Sequence, residues 1–308
     1  MTSRRLLAGI ALLAASLVTS VASSAEPLYR IFQIVSNDPT FENITVSDLN
    51  DRGQLVGMAF DRLGTQRRAF VWQNGEFTDL HDVIAPGAST TSANGINNRR
   101  TIVGGIDFSR GFKLRGTQVT DVTVVPGETS VTPLFVNDRG QMIVESFGGS
   151  AFGDFLVDGD SAELLPALPG SSDPTIASAL NERGVVAGVA LFFDFTRRGV
   201  IVRNGAITDL GVPAGFDSSS ALDINDRNRV VGAGLNNFAP TAATWKDGVW
   251  TLLPSIAPGE PQVSEAATIN NRGEIAGGTT ITGDNVSLGD DSRSPPTSSV
   301  RYFLRRVR

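Results

Sequence analysis

Six arginines at the same place in a recurring turn are the residues of this 308-residue chain best suited to bind a ligand. Each stands two positions after an asparagine, in phrases such as NDRG, NNRR and NERG. The six are Arg52, Arg99, Arg139, Arg183, Arg227 and Arg272. A guanidinium group binds an anion through paired hydrogen bonds. On equivalent hairpins the six would share one face, which predicts a basic collar for an anionic ligand such as an acidic polysaccharide.

The alternative interpretation of these arginines is a solvated turn whose charge is offset by the residue before it. In four of the turns that residue is acidic: Asp51, Asp138, Glu182 and Asp226. The other two turns have Asn98 and Asn271 there, which leaves Arg99 and Arg272 less balanced. Both interpretations stay open at this point.

Few residues offer catalytic or metal-binding chemistry. The chain has no cysteine, so thiolate nucleophiles, disulfides and cysteine-ligated metals are excluded, and a single histidine excludes a multi-histidine metal site. A Ser/His/Asp triad stays open because it is defined by geometry, although the GxSxG motif is absent. That histidine, His81, follows a predicted strand directly and is predicted to be a solvated loop residue. We therefore predict no catalytic residue.

An acidic insertion in the last repeat is a weak candidate for calcium. The segment TGDNVSLGDDSRSPPTSS holds Asp284, Asn285, Asp290 and Asp291, and oxygen-rich loops of this kind bind Ca²⁺. Their spacing is not that of an EF-hand, and a surface loop without metal is the alternative. No other cofactor is predicted.

The turns recur with a nearly fixed period, which predicts the architecture. The opening asparagine falls at positions 50, 97, 137, 181, 225 and 270, so successive gaps are 47, 40, 44, 44 and 45 residues. Each turn is flanked by short apolar or alternating runs, and a second hairpin follows, with Asn-Gly or Asp-Gly in AFVWQNGEFTDL, GVIVRNGAITDL and AATWKDGVWTLL. Four strands in about 44 residues predict an all-β fold, a six-bladed β-propeller with four-stranded blades.

The two ends of the chain predict how the ring closes. The sixth repeat stops after its third strand, near residues 301–308, and lacks a fourth. An extra strand, LYRIFQIV, occupies residues 28–35, and Val35 lies 15 residues before Asn50. The fourth strands of the other repeats end 15–17 residues before the next asparagine. We therefore expect the N-terminal strand to complete the last blade, which hides both open edges.

The beginning of the chain predicts export. Arg4 and Arg5 precede the apolar run LLAGIALLAASLVTSVA, and small residues up to Ala25 suit a signal peptidase. We predict a signal peptide at 1–25, with a retained anchor or twin-arginine export as alternatives, and one propeller domain at 26–308. A secreted or periplasmic location follows. The formal net charge of −6 gives no reason to expect nucleic acid as a partner.

The repeated phrases resemble a known family. The first unit reads NDRGQLVG, then AFVW, then TDL, and is similar to the bacterial extracellular HAF repeat family. The resemblance covers nearly all of residues 28–308 and implies secretion and a propeller, without catalytic residues. This chain departs from the pattern because no His-Ala-Phe is intact, and because unit three has Val144 where other units have glycine.

Two classes of function fit these features. The first is a secreted binding or structural module whose partner is a cell-surface polysaccharide or another extracellular protein. The second is a propeller hydrolase or lyase that acts on polysaccharide. It would need acids or bases converging at the centre, where the first strands offer Asp48, Asp223 and Glu265. Whether the protein is an enzyme stays open.

Overall fold

The computed structural model describes residues 36, 38–41, 43–123, 125, 127–128, 130–147, 152–254, 263–281 and 298–304. They belong to a compact unit spanning Ile34–Arg308. The predicted signal peptide at 1–25, the predicted N-terminal strand at 28–35 and the acidic insertion with Asp284, Asn285, Asp290 and Asp291 lie outside the described residues. No helix in the described ranges is long and apolar enough to cross a membrane.

The first three repeats each form four strands. Unit one contains β1 Asn43–Leu49, β2 Leu55–Phe60, β3 Arg67–Gln73 and β4 Glu76–Asp79, and a one-turn helix, α1 His81–Ile84, follows it. Unit two contains β5 Thr91–Ile96, β6 Thr101–Ile106, β7 Arg110–Arg115 and β8 Gln118–Val122. Unit three contains β9 Ser130–Val136, β10 Met142–Phe147, β11 Gly153–Asp158 and β12 Ser161–Leu164.

The last three repeats continue the pattern. Unit four contains β13 Ile176–Leu180, β14 Val186–Leu191, β15 Arg197–Arg203 and β16 Ala206–Asp209. Unit five contains β17 Ser218–Ile224, β18 Val230–Asn236, β19 Ala239–Lys246 and β20 Val249–Leu252. Unit six contains β21 Val263–Ile269, β22 Ile275–Ile281 and β23 Ser298–Leu304.

Every unit is one antiparallel sheet in which neighbours in sequence pair with each other. Five sheets have four strands, and the sixth has three among the described residues. The predictions of an all-β fold, and of four strands per repeat in units one to five, are confirmed. The third strand of unit six begins at Ser298, three residues before the predicted start.

The recurring turns have a left-handed residue at the position after the arginine. In four units the glycine after the turn arginine has a left-handed backbone, as at Gly53 with φ 72°. Units two and five lack that glycine, and Arg100 and Asn228 take the left-handed conformation instead. The Asn-Gly pair between β3 and β4 has positive φ at both residues, Asn74 and Gly75, as the hairpin rule requires.

A bulge in the first strand explains why the second strand contains a glycine. All six pairings between first and second strands shift register by one residue at this point. In five units a backbone oxygen of the first strand then lies almost at the position that a Cβ atom of the second strand would occupy. Glycine occupies that position at Gly57, Gly104, Gly188, Gly232 and Gly277. Unit three places the fully buried Val144 there, opposite Pro133.

The hydrophobic core lies between consecutive sheets. One cluster joins Val56 and Ala69 of unit one to Ile102 and Phe112 of unit two. Equivalent clusters join units two and three, three and four, four and five, and five and six. Each sheet therefore packs face to face on the next, and the first strands β1, β5 and β9 also contact each other in succession.

Candidate functional site

The asparagine that opens each turn is a structural cross-link. Asn137 is 1% exposed. Its side-chain oxygen accepts hydrogen bonds from the backbone N–H groups of Arg139 and Gln141, at 3.1 and 3.0 Å. Its side-chain amide donates to the Gln141 side chain at 2.8 Å and to the backbone oxygen of Asn181, in the next unit, at 3.1 Å. One side chain thus shapes its own turn and ties it to the neighbouring turn.

The same link recurs along the whole set of repeats. Side-chain amides of successive opening asparagines donate to the next asparagine's backbone oxygen at 2.8–3.1 Å. The participants are Asn50, Asn97, Asn137, Asn181, Asn225 and Asn270. We call these six turns the turn row. The structure therefore brings the six predicted hairpins side by side.

A second chain of hydrogen bonds runs parallel to the first. The residue after each asparagine donates its backbone N–H to the equivalent side chain in the next unit, at 2.7–3.0 Å. The acceptors are Asn98, Asp138, Glu182, Asp226 and Asn271. Burial raises the pKa of Glu182, the acceptor at the middle of the row. Three of the four acidic neighbours predicted to offset the arginines thus accept backbone N–H groups of adjacent turns, and the fourth, Asp51, accepts the side-chain amide of Asn98 at 2.9 Å.

All six turn arginines are exposed to solvent. Arg52 donates from Nε to the backbone oxygen of Asn98 at 2.7 Å, which holds its guanidinium over the next turn. The ion pairs among the described residues include none of the six. The four-residue turns contain seven arginines, because Arg100 stands beside Arg99 in unit two, and four acids, so the row carries a formal charge of +3 in a protein of net charge −6.

The prediction that His81 is a solvated loop residue is wrong. His81 begins α1 and is 6% exposed, because Leu80 and Ile84 of the same turn pack into the core. Its Nδ1 lies 3.0 Å from the hydroxyl of Thr91, which also accepts the backbone N–H of Ala69 at 3.0 Å.

No triad assembles around His81. The nearby Asp79 accepts the backbone N–H of His81, not a ring proton, and forms an ion pair with Arg68 at 2.9 Å. The only hydroxyl described within hydrogen-bond distance of the ring belongs to Thr91, which is 1% exposed. The structure gives His81 a structural role between units one and two.

Two of the three predicted central acids link neighbouring units through hydrogen bonds. Asp48 accepts the backbone N–H groups of Leu49, at 2.7 Å, and of Ile96 in unit two, at 2.8 Å. Asp223 accepts those of Ile224 and of Ile269 in unit six, both at 2.7 Å, and the hydroxyl of Thr268. The third acid, Glu265, is exposed.

Burial is the main cause that raises the pKa of both Asp48 and Asp223. The charge of Asp223 also contributes to the raised pKa of Asp48, although the two residues stand in units five and one.

These raised pKa values predict a pH dependence of stability. A carboxyl whose folded pKa exceeds its ordinary value of 3.8 stays protonated in the folded state while the unfolded state has lost its proton. The contribution of such a carboxyl to the free energy of unfolding is full below pH 3.8, and it falls as the pH rises through the raised pKa. We expect the double variant Asp48→Asn, Asp223→Asn to lose less stability than wild type between pH 3.8 and neutrality. Urea midpoints measure this, and parallel profiles would contradict it.

A metal site is not found in the part of the chain that the structure describes. No group of three or more histidine, aspartate or glutamate side chains is arranged there to hold an ion. Calcium at Asp284, Asp290 and Asp291 therefore stays a prediction about residues outside that part.

Comparisons with known proteins give structural similarity alone. The chain matches no protein-family model and no curated protein. Among solved structures it is similar to TolB from Acinetobacter baumannii, with TM-score 0.48 and 13% identity over 70% of this chain and 55% of that chain. A puromycin-hydrolyzing peptidase from Mycobacterium tuberculosis follows, with TM-score 0.47 and 14% identity over 78% of this chain and 42% of that one.

A lectin is also among the similar structures. SapL1, solved in complex with alpha methyl fucoside, has TM-score 0.43 and 13% identity over 78% of this chain and 92% of that chain. By contrast, this chain spans about half the length of TolB and of the peptidase.

Proposed function

We propose that this protein is a secreted binding module that uses the turn row to hold an anionic polymer, of which an acidic polysaccharide is the favoured class. The observation that carries the proposal is the chain of asparagine hydrogen bonds, which sets six exposed arginines in one row on rigid hairpins. The acidic side chains between them accept hydrogen bonds from adjacent turns, which leaves the exposed guanidinium groups as the donors available to a ligand. Regular spacing suits a repeating polymer, because several weak contacts add up along it.

We further propose that the sheets are blades of a closed six-bladed propeller of the HAF repeat type. Each sheet packs on the next through a shared core, as blades do. The charge of Asp223 in unit five contributes to the raised pKa of Asp48 in unit one, as expected for first strands that surround one centre. The predicted strand at 28–35 would pair with β23 and close the ring, and the signal peptide at 1–25 would direct export.

A polysaccharide hydrolase or lyase is the second candidate. Asp48 and Asp223 favour it, since both are acids of raised pKa on first strands. Against it, both oxygens of each carboxylate accept hydrogen bonds from the protein. The equivalent residues of the other units are Gly95, Phe135, Ala179 and Thr268, none of which is an acid or a base.

An array of acidic and neutral polysaccharides tests the two candidates together. We expect the protein to bind acidic polymers, to release them as salt rises because exposed charges are screened, and to leave their length unchanged. Shortened polymers in the bound fractions would contradict the binding module and support the enzyme. Equal binding to neutral polymers, or none to acidic ones, would contradict a role for the turn arginines.

A further inference from the structure

The end of the sheets opposite the turn row presents exposed apolar side chains. They stand in the loops between second and third strands, at exposures of 62–83%. The residues are Leu63, Phe108, Phe152, Phe193, Phe195 and Phe238. Each described unit from one to five contributes at least one of them. We call this surface the loop face.

The topology places these loops together. In an antiparallel sheet the loop between second and third strands lies at the other end from the turn between first and second strands. Because the turn row joins all six turns, the loops of consecutive units also lie beside each other. In agreement with this placement, Val131 at the beginning of β9 in unit three donates its backbone N–H to Ser109 in the loop of unit two, at 3.2 Å.

Three of the phenylalanines are held in an unfavourable backbone conformation. Phe108, Phe195 and Phe238 have φ values of 56°, 65° and 66°. This left-handed region suits glycine or asparagine, and a bulky side chain there is an outlier. An exposed ring that also costs backbone energy contributes little to the fold, so such outliers point to function.

Two of these rings are fixed in place by arginines of the preceding unit. The Arg67 guanidinium lies 4.8 Å from the centre of the Phe108 ring, and Arg197 lies 5.8 Å from that of Phe238. Arg67 and Arg197 are equivalent, since both stand at the beginning of a third strand. Neither belongs to an ion pair among the described residues.

The carboxylates of these loops accept hydrogen bonds from their own loop or from the segment before the first strand of the same unit. Asp107 accepts the backbone N–H groups of Ser89 and Thr90, at 2.8 and 2.9 Å. Asp61 and Asp194 each accept a backbone N–H and a threonine hydroxyl, and these hydrogen bonds lower the pKa of both. The loop face therefore presents phenylalanine rings and two guanidinium groups outside any ion pair of the described residues, together with carboxylates that already accept hydrogen bonds.

We propose that the loop face binds a second protein, through a segment that offers apolar side chains and carboxylates. Exposed aromatic rings beside arginine, without lysine, are typical of the centres of protein interfaces. The only lysines of the chain, Lys113 and Lys246, stand on third strands outside these loops. This proposal goes beyond the polysaccharide function, because it uses the opposite end of the sheets and a different partner.

The double variant Phe108→Asn, Phe238→Asn tests the proposal in the full chain. The probe is a displayed library of random linear peptides, selected on wild type. We expect enriched peptides to combine aspartate or glutamate with apolar residues, and to bind the variant at least about tenfold more weakly. We also expect the variant's Tm to stay level or rise by about 1–3 °C, since asparagine accepts the left-handed conformation.

A matched control is available in unit five. Val249 is 62% exposed against 63% for Phe238, but stands at the turn between third and fourth strands, away from the loop face. Val249→Asn should leave peptide binding unchanged.

Several outcomes would overturn the proposal. They are absence of enrichment, peptides that bind the variant as well as wild type, and equal loss in the Val249 control. A lower Tm in the double variant would show that the rings stabilise the fold. Loss of polysaccharide or liposome binding instead of peptide binding would assign the face to another ligand. Unchanged polysaccharide binding would keep this test separate from the turn row.

Discussion

Replacing Gly104 with alanine is expected to lower the free energy of unfolding by about 3 kcal/mol. The new methyl group would overlap the backbone oxygen of Ser92 and stand 3.0 Å from the Phe112 ring. The first obstacle is backbone of the paired strand, which cannot move without breaking the pairing of β5 and β6, and the second is a buried ring of the core between units one and two. Urea unfolding followed by tryptophan fluorescence measures the loss as a lower midpoint at unchanged slope.

The next residue of the same strand supplies the control. A methyl group on Gly105 would lie 3.2 Å from the hydroxyl of Ser92, a side chain that can rotate away. Gly105→Ala is therefore expected to remain within about 1 kcal/mol of wild type. Equal losses in the two variants, or a harmless Gly104→Ala, would show that the bulge and its close backbone approach are wrongly placed.

Replacing Asn137 with alanine is expected to lower the free energy of unfolding by about 3 kcal/mol, because it leaves several buried polar groups without a hydrogen-bond partner at once. The backbone N–H groups of Arg139 and Gln141 lose their acceptor, and the backbone oxygen of Asn181 loses a donor. Asn137→Asp should also destabilise the fold: it restores the acceptor but sets a negative charge against the Asn181 oxygen. The midpoint of urea unfolding measures both changes.

The control for this variant lies in the same turn. Arg139 is exposed and joins the described network through its backbone N–H alone. Arg139→Ala should change the free energy of unfolding by less than about 0.5 kcal/mol. Unchanged stability in Asn137→Ala would contradict the role of the asparagine as a cross-link, and with it the physical basis of the turn row.

Local patterns in the sequence were sufficient to predict the sheets. Asn-Gly pairs, positive-φ glycines and alternating apolar residues are rules about neighbours in the chain, and the sheets obey them. The cross-links could not be predicted this way, because the Asn137 amide bonds to a residue 44 positions away. The recurrence of an asparagine at every turn was the available signal, but a recurring residue does not by itself say which atoms of another repeat it contacts.

Two further features were not predicted from the sequence, and both have physical causes. The burial of His81 follows from the short helix α1, which the apolar spacing of Leu80 and Ile84 would have indicated. The exposed rings of Phe108 and Phe238 were missed because a tight two-residue turn usually places glycine where they stand. Whether the six arginines bind a ligand is a matter of chemistry that folding rules do not decide.

A binding titration with matched charge variants tests the central claim most directly. The ligand is polygalacturonate, a defined acidic polysaccharide, measured against wild type at low and at physiological salt. One variant replaces Arg99, Arg139 and Arg183 of the turn row with glutamine. The control replaces Arg62, Arg110 and Arg198, at the other end of the sheets, and changes the net charge equally.

We expect the turn-row variant to bind at least about tenfold more weakly, which corresponds to the loss of several exposed charge contacts. The control should bind almost as wild type does, and the salt dependence should diminish in the turn-row variant alone. Equal losses in the two variants would show that net charge, rather than the turn row, governs binding. Unchanged binding in the turn-row variant would contradict the account.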